Sequence, residues 1–162
     1  PRGNGLGVQL PSIKEILEIG KAKIIKEGKK VALLNFGTRL EECNKASEKL
    51  SSKGINCTII DARFAKPLDE KLIMEVATNH EVLITIEEGS IGGFGSHVKN
   101  LLAEKGIFDK GLKFRSMTLP DEFIEQDNPK NMYDIAGLNS PQITKKVLEV
   151  LFNKDSIRVV KN

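Results

Sequence analysis

The sequence is poor in residues that would each point to a particular kind of site. It has no tryptophan, and aromatic residues make up only 5% of its 162 residues, which argues against a platform for stacked bases. Its two cysteines, Cys43 and Cys57, do not follow the spacing of a metal site, and such thiols suit a reducing compartment. No apolar run is long enough for a membrane span, so no membrane partner is expected.

Basic charge is not concentrated in any one part of the chain. The 25 basic and 22 acidic residues give a net charge of +3, and the basic residues are spread along the sequence. We therefore expect no nucleic-acid partner. With 40% hydrophobic and 29% charged residues, the chain has the composition of an ordinary globular protein, and its length suits one domain with its own core.

Several motifs of catalytic and nucleotide-binding sites are absent from the sequence. There is no P-loop, no Gly-x-Gly-x-x-Gly dinucleotide fingerprint after the first strand, and no Gly-x-Ser-x-Gly elbow. There are only two histidines, of which His80 is expected at the C-terminal end of a helix. We accordingly predict no catalytic, cofactor-binding or metal-binding residue within this chain.

The segment Val82–His97 has the pattern of a buried strand, a tight elbow and a helix start. Its apolar, β-branched beginning is followed by Glu87, Glu88 and a glycine-rich stretch, Gly89–Gly95. Such an elbow either packs the helix against the strand or receives a ligand, because open α/β sheets bind ligands at the carboxyl ends of their strands. Ser96 is expected to cap the helix that follows.

Apolar strands alternate with single helices at a spacing of roughly 26 residues, which is typical of βαβ units. The predicted strands are Lys21–Lys26, which is weak, Val31–Phe36, Cys57–Ile60, Val82–Ile86 and Lys113–Leu119. This order predicts an α/β domain with three layers, α/β/α, and a mostly parallel sheet.

Polar residues also mark where the helices between these strands begin. Thr38, with Glu41 as its capping-box partner, and Asp69 are expected to cap two of them. A further helix is expected to start at Pro141, directly after Ser140.

Three strand ends should meet at one edge of this sheet, and together they carry both cations and carboxylates. The residues expected there are Arg39, Arg63, Lys66, Glu87 and Glu88. Two or three cations beside glycine-lined backbone amides would suit a phosphate or carboxylate ligand. Glu87 and Glu88 are either an acid–base pair or a solvated, cap-stabilising pair, and His97, beside the elbow, is either structural or functional.

Six segments, in their order and spacing, resemble one known family. They are Pro1–Val8, Asn35–Thr38, Asp61–Asp69, Glu87–Ser96, Leu119–Asp121 and Ala136–Leu138. The chain is similar in these segments to the C-terminal domain of 1-deoxy-D-xylulose-5-phosphate synthases. The resemblance covers residues 1–152, which we treat as the domain, and leaves residues 153–162 as a polar C-terminal tail. Because the sequence begins Pro1-Arg2 without methionine, we expect it to be part of a longer protein.

The resemblance implies the fold and the activity of that family. It implies a five-stranded, mostly parallel sheet with one antiparallel strand, as in transketolase C-terminal domains. The family's enzymes are homodimers that condense pyruvate with glyceraldehyde 3-phosphate, with loss of carbon dioxide, for isoprenoid, thiamine and pyridoxal synthesis. Their cofactors, thiamine diphosphate and Mg²⁺, are bound by N-terminal domains of the same chain, so this chain alone is expected to be inactive. A bacterial cytoplasm is expected, with a plastid as the alternative.

The resemblance also implies which residues meet the substrate. Arg2 and Arg63 match the two family arginines that are associated with the phosphate of the acceptor aldehyde, and Glu87, Glu88 and His97 would lie at the edge of the site. Arg63 could instead be a salt-bridge partner of Asp61 or Asp69. Two alternatives stay open: the C-terminal domain of another thiamine enzyme, either transketolase or a 2-oxoacid dehydrogenase β subunit, and a non-catalytic α/β module that binds a phosphorylated ligand.

Overall fold

The computed structural model describes residues 16–152, which form one five-stranded sheet with helices around it. The strands are β1 (Lys23–Lys26), β2 (Val31–Phe36), β3 (Cys57–Asp61), β4 (Val82–Glu87) and β5 (Lys113–Met117). The helices are α1 (Leu40–Ser51), α2 (Glu70–Asn79), α3 (Phe94–Glu104), α4 (Pro129–Ile135) and α5 (Ser140–Phe152), with a short 3₁₀ turn at Phe108–Lys110.

The strand order is β1-β3-β2-β4-β5, and only β1 is antiparallel to its neighbour. The pairs β2–β3, β2–β4 and β4–β5 are parallel, so these four strands all end at one edge of the sheet, here called the carboxyl edge. At that edge, Lys23 at the start of β1 is opposite Asp61 at the end of β3. The expected mostly parallel sheet with one antiparallel strand is confirmed.

Each face of the sheet has its own apolar core, which makes the three layers. Side chains that alternate along the strands, such as Leu33 and Ile84, pack with α1 and α5 on one face. Their neighbours, such as Leu34 and Leu83, pack with α2 and α3 on the other. The central strands are apolar on both faces because helices cover both, as is usual in parallel sheets.

Helix α2 begins and ends as its sequence predicts. The Asp69 side chain accepts a hydrogen bond from the Leu72 N–H at 3.1 Å and so caps the helix. A second oxygen of Asp69 accepts from the Ala22 N–H, also at 3.1 Å, which ties the chain before β1 to the same helix start. His80 ends the helix, with its Nδ1 at 2.9 Å from the Val76 carbonyl oxygen.

Two of the predicted helix caps are wrong. Helix α1 begins after Arg39 without a side-chain cap, so Thr38 and Glu41 do not form the expected capping box. Helix α3 begins at Phe94, which places Ser96 inside its first turn, where the hydroxyl accepts from the Gly92 N–H at 3.1 Å. In α3 the N–H groups of Phe94 and Gly95 donate instead to Glu87, at the end of the preceding strand.

The start of α5 is capped from another helix. A carboxylate oxygen of Glu42, on α1, accepts from the Ser140 N–H at 2.8 Å. Burial alone would raise the pKa of Glu42, but the hydrogen bonds from Lys45 and Ser140 outweigh it and lower the pKa. Glu42 therefore stays charged and stabilises the α1–α5 layer.

Both cysteines are buried, unpaired side chains of one core. Burial raises the pKa of Cys43 to about 12 and that of Cys57 to about 11. Because the thiolate is the reactive form, both are inert structural thiols near neutral pH.

Three sequence predictions concern parts of the chain that the structure does not describe. Arg2 and the segment Pro1–Val8 lie before residue 16, and the tail at residues 153–162 follows the last described residue. The division into a domain and a tail therefore stays a prediction. Within residues 16–152, no helix combines the length and apolar character needed to cross a membrane.

Replacing Asp69 with alanine should destabilise the domain by about 1–3 kcal/mol, because the Leu72 and Ala22 N–H groups both lose their acceptor. The measurement is the free energy of unfolding in urea. The neighbouring change Glu70→Ala, at an exposed residue, is the control and should stay within about 0.5 kcal/mol of wild type. Equal losses in the two variants would contradict the double role of Asp69.

Candidate functional site

The elbow after β4 is built around the buried carboxylate of Glu87. Glu87 is the last residue of β4 and is only 3% exposed. Its two oxygens accept hydrogen bonds from the Phe94 N–H at 2.9 Å and the Gly95 N–H at 2.8 Å. Glu87 therefore caps α3 from outside the helix, where the unpaired N–H groups and the helix dipole favour a negative charge.

The glycines of the elbow leave room for this carboxylate. A Cβ atom at Gly89 would lie 2.5 Å from an oxygen of Glu87, and a Cβ at Gly93 would meet the same oxygen. At Gly95 the Cβ would lie 2.6 Å from the Thr85 hydroxyl oxygen. These distances are below van der Waals contact, so a residue larger than glycine at any of these three positions would require the Glu87 or Thr85 side chain to move.

The backbone amides of the elbow are consequently engaged within the protein. Phe94 and Gly95 donate to Glu87, Gly92 donates to the Ser96 hydroxyl, and Gly93 donates to the Ser90 carbonyl. These four amides are therefore not available to an anionic ligand, because Glu87, Ser96 and Ser90 accept their hydrogen bonds, and an anion site at this edge stays a prediction. Of the alternatives for Glu87, the cap-stabilising role is the one present.

Glu88 turns away from Glu87 and joins Arg39 and Tyr133. The Arg39 Nε lies 3.1 Å from a Glu88 oxygen, and both side chains are largely buried. The Arg39 guanidinium lies over the Tyr133 ring at 3.6 Å, a cation–π contact. Burial raises the pKa of Tyr133, and its hydrogen bond to Glu88 raises it further, so the hydroxyl remains protonated. The three side chains connect the ends of β2 and β4 to α4.

Tyr133 belongs to this cluster although no sequence pattern indicated it. It is the only tyrosine of the chain and lies on α4, far from Arg39 and Glu88 in the sequence. The only feature of the sequence that could have indicated Tyr133 is a single aromatic residue on a short helix. The contact depends on how α4 packs against the sheet.

Arg63 lies at the carboxyl edge, directly after β3, in a backbone conformation that is rare for a residue with a side chain. Its φ of 58° is in the left-handed region. The Asp61 carboxylate accepts from the Arg63 N–H at 3.1 Å, and the Arg63 Nε lies 3.9 Å from the other Asp61 oxygen. Strain of this kind persists where the surroundings enforce it, often at a functional position. The salt-bridge alternative for Arg63 is thus present in the structure, with Asp61 as the partner.

His97 lies apart from the two glutamates. It is half-buried on α3 and lines, with Lys66, a shallow surface depression of about 300 Å³ beside the loop that follows β3. The carboxyl edge therefore separates the predicted residues into three places: Arg63 with Asp61, Glu88 with Arg39, and His97 with Lys66. Glu87 points into the fold. Among residues 16–152, no group of three or more His, Cys, Asp or Glu side chains is placed to hold a metal ion.

The fold and the position of these residues define an open α/β sheet of the kind whose ligands bind at the carboxyl ends of its strands. The family model for the transketolase C-terminal domain matches residues 20–143. The chain therefore belongs to the transketolase C-terminal domain family.

Two solved structures have the same fold. A split-gene transketolase, described as an inactive beta4 tetramer, is 26% identical with a TM-score of 0.80, over 90% of this chain and 46% of that one. Transketolase from Campylobacter jejuni subsp. jejuni NCTC 11168 is 18% identical with a TM-score of 0.58, over 80% of this chain and 18% of that one. The chain thus spans less than half the length of either protein, and the second similarity concerns the fold alone.

Replacing Glu87 with alanine should lower the free energy of unfolding by about 2–5 kcal/mol, since two buried N–H groups lose a charged acceptor. Glu87→Gln should cost less, because the amide oxygen can still accept from one of them. Urea unfolding measures both, with the exposed Glu75→Ala as the matched control. A Glu87→Ala variant as stable as this control would show that the carboxylate does not hold the elbow.

Proposed function

We propose that this chain is the C-terminal domain of a 1-deoxy-D-xylulose-5-phosphate synthase, which condenses pyruvate with glyceraldehyde 3-phosphate and releases carbon dioxide. The observation that carries the proposal is the position of Asp61–Asp69, which is, with Glu87–Ser96, one of the two segments specific for that family in the sequence. It leaves β3 at the carboxyl edge, and it holds Arg63 there in a strained conformation. Membership of the transketolase C-terminal domain family supports the broader class of thiamine-type transferase.

The phosphate of the acceptor aldehyde is proposed to meet Arg63 together with Arg2. Two guanidinium groups suit a dianionic phosphate, because each can bind two oxygens. The course of the chain supports a shared site. Gly20 lies against Pro67, and the Ala22 N–H bonds to Asp69, so the described chain begins beside the loop that carries Arg63.

Thiamine diphosphate and a divalent metal are the cofactors of the transketolase family, and residues 16–152 do not fit them. No metal-binding cluster is present among these residues, and Glu87 occupies the amides of the elbow. Both cofactors are proposed to bind to N-terminal domains of the longer protein, together with pyruvate. This domain would contribute the acceptor contacts and part of a homodimer interface, and by itself it would be inactive.

A transketolase is the second candidate, favoured by the 26% identity and 0.80 TM-score to the split-gene transketolase. The two activities differ in their donor, which is pyruvate for the synthase and a ketose phosphate for transketolase. The test uses the full-length protein with thiamine diphosphate, Mg²⁺ and glyceraldehyde 3-phosphate. Carbon dioxide release from pyruvate together with consumption of glyceraldehyde 3-phosphate supports the synthase. Transfer from xylulose 5-phosphate to ribose 5-phosphate, without use of pyruvate, would replace it by transketolase.

Replacing Arg63 with alanine in the full-length enzyme should lower kcat/KM for glyceraldehyde 3-phosphate by roughly 10- to 150-fold, because a charge-assisted phosphate contact is worth about 1.5–3 kcal/mol. The parameters for pyruvate, which has no phosphate, should change much less. Arg63→Lys should recover only part of the loss, since an ammonium lacks the planar fork.

The control for Arg63 is an acceptor aldehyde without a phosphate, which wild type and Arg63→Ala should use about equally. If the variant slows both acceptors by the same factor, Arg63 acts on the fold through Asp61 rather than on the phosphate. The urea stability of the variant, measured beside its kinetics, identifies that case independently.

A further inference from the structure

A groove of about 400 Å³ opens on the outer side of the Arg39–Glu88–Tyr133 cluster. Three parts of the chain form its walls. They are the elbow at Glu88, the irregular segment of residues 118–128 that connects β5 to α4, and the first two turns of α4. The Leu119 N–H donates to the Gly89 carbonyl at 2.9 Å and holds the start of that segment against the elbow.

The groove is lined mainly by apolar side chains, together with two carboxylates. Its walls come from Leu119, Ile124, Pro129, Met132 and the ring of Tyr133. Glu88 and Asp127 are the charged residues that line it, and no lysine or arginine is among its lining residues in the described part of the chain. A concave apolar site with a few convergent polar groups is the usual form of a small-molecule site.

The surrounding charge is negative although the protein as a whole is basic. The segment at residues 118–128 contains four carboxylates, Asp121, Glu122, Glu125 and Asp127, and no lysine or arginine, whereas the chain carries a net charge of +3. Asp121, Glu122 and Glu125 are exposed on the segment that carries Ile124 and Asp127, so they add to the negative field around the groove, which the exposed Lys130 on α4 partly opposes. Such a field concentrates cations and repels anions.

We propose that this groove binds a small organic cation with an apolar body. The apolar part would lie against Met132 and Ile124, and the cationic group would reach the Glu88 carboxylate. The ring of Tyr133, whose face is already covered by the Arg39 guanidinium, adds contacts with the apolar body of the ligand. Because Tyr133 and Arg39 hold Glu88 from within, the carboxylate has a defined position before a ligand arrives.

This ligand differs in charge from both proposed substrates. Pyruvate and glyceraldehyde 3-phosphate are anions, which the carboxylates of the groove repel, while Arg63 lies beside β3, two strands away from β4. The proposal therefore does not depend on the reaction that the full-length enzyme performs.

The test uses three probes that share one ring and differ in charge: benzylamine, benzyl alcohol and benzoate. The chain is labelled at its methionine and isoleucine methyl groups, and binding is followed by NMR at Met132 and Ile124. Benzylamine is expected to shift both signals and to bind at least about fivefold more tightly than benzyl alcohol, since charge-assisted contacts are the stronger ones. Benzoate should shift neither signal at the same concentration.

The variant Glu88→Gln should weaken benzylamine at least about fivefold and leave benzyl alcohol nearly unchanged. Glu81→Gln is the matched control, because Glu81 is also an acid in an ion pair, with Lys113 at 2.8 Å, but lies at the opposite edge of the sheet. Asp127→Asn, at an exposed residue, repeats the test if Glu88→Gln does not fold.

Three results would overturn the proposal. The first is benzoate binding as tightly as benzylamine, and the second is an equal effect of Glu88→Gln and Glu81→Gln. The third is a preference for a protein segment: the peptide Lys-Ala-Lys-Ile-Ile-Lys, the basic and apolar sequence of residues 21–26, binding more tightly than benzylamine would identify a protein interface instead.

Discussion

The buried carboxylate of Glu87 is the contact on which the carboxyl edge depends. A charge that is only 3% exposed is costly, and here two backbone N–H groups at the start of α3 offset that cost. The arrangement requires glycine at Gly89, Gly93 and Gly95, since added side chains would collide with Glu87 or Thr85. One ionic contact thus fixes the distance between β4 and α3 and the course of the loop between them.

This contact also divides the edge into separate surfaces. With Glu87 turned inward, its neighbour Glu88 turns outward and reaches Arg39, whose guanidinium in turn covers the ring of Tyr133. The cations of the edge are therefore not gathered in one cleft. Arg39 is paired near β4, and Arg63 lies with Asp61 at the end of β3. The proposed phosphate and the proposed organic cation with an apolar body would bind at different parts of the same edge.

The size of the chain relative to its family also bears on these separate surfaces. The chain belongs to the transketolase C-terminal domain family but spans 46% of the split-gene transketolase that it matches. A domain of this size has its own two-sided core, so its edge can be held in place independently of its neighbours. The side chains that this edge presents include Arg63 and the cluster around Glu88.

The sequence by itself determined the architecture, because apolar periodicity and the Asp69 cap are local signals that survive without tertiary contacts. The tertiary structure decided the site. Whether Glu87 faces a ligand or a helix depends on how α3 packs on β4, and the cap of α5 by Glu42 joins residues 98 positions apart. Tyr133 likewise meets Arg39 only through the packing of α4. Contacts between distant segments leave no periodic trace in one sequence, since each partner alone is an ordinary polar or aromatic residue.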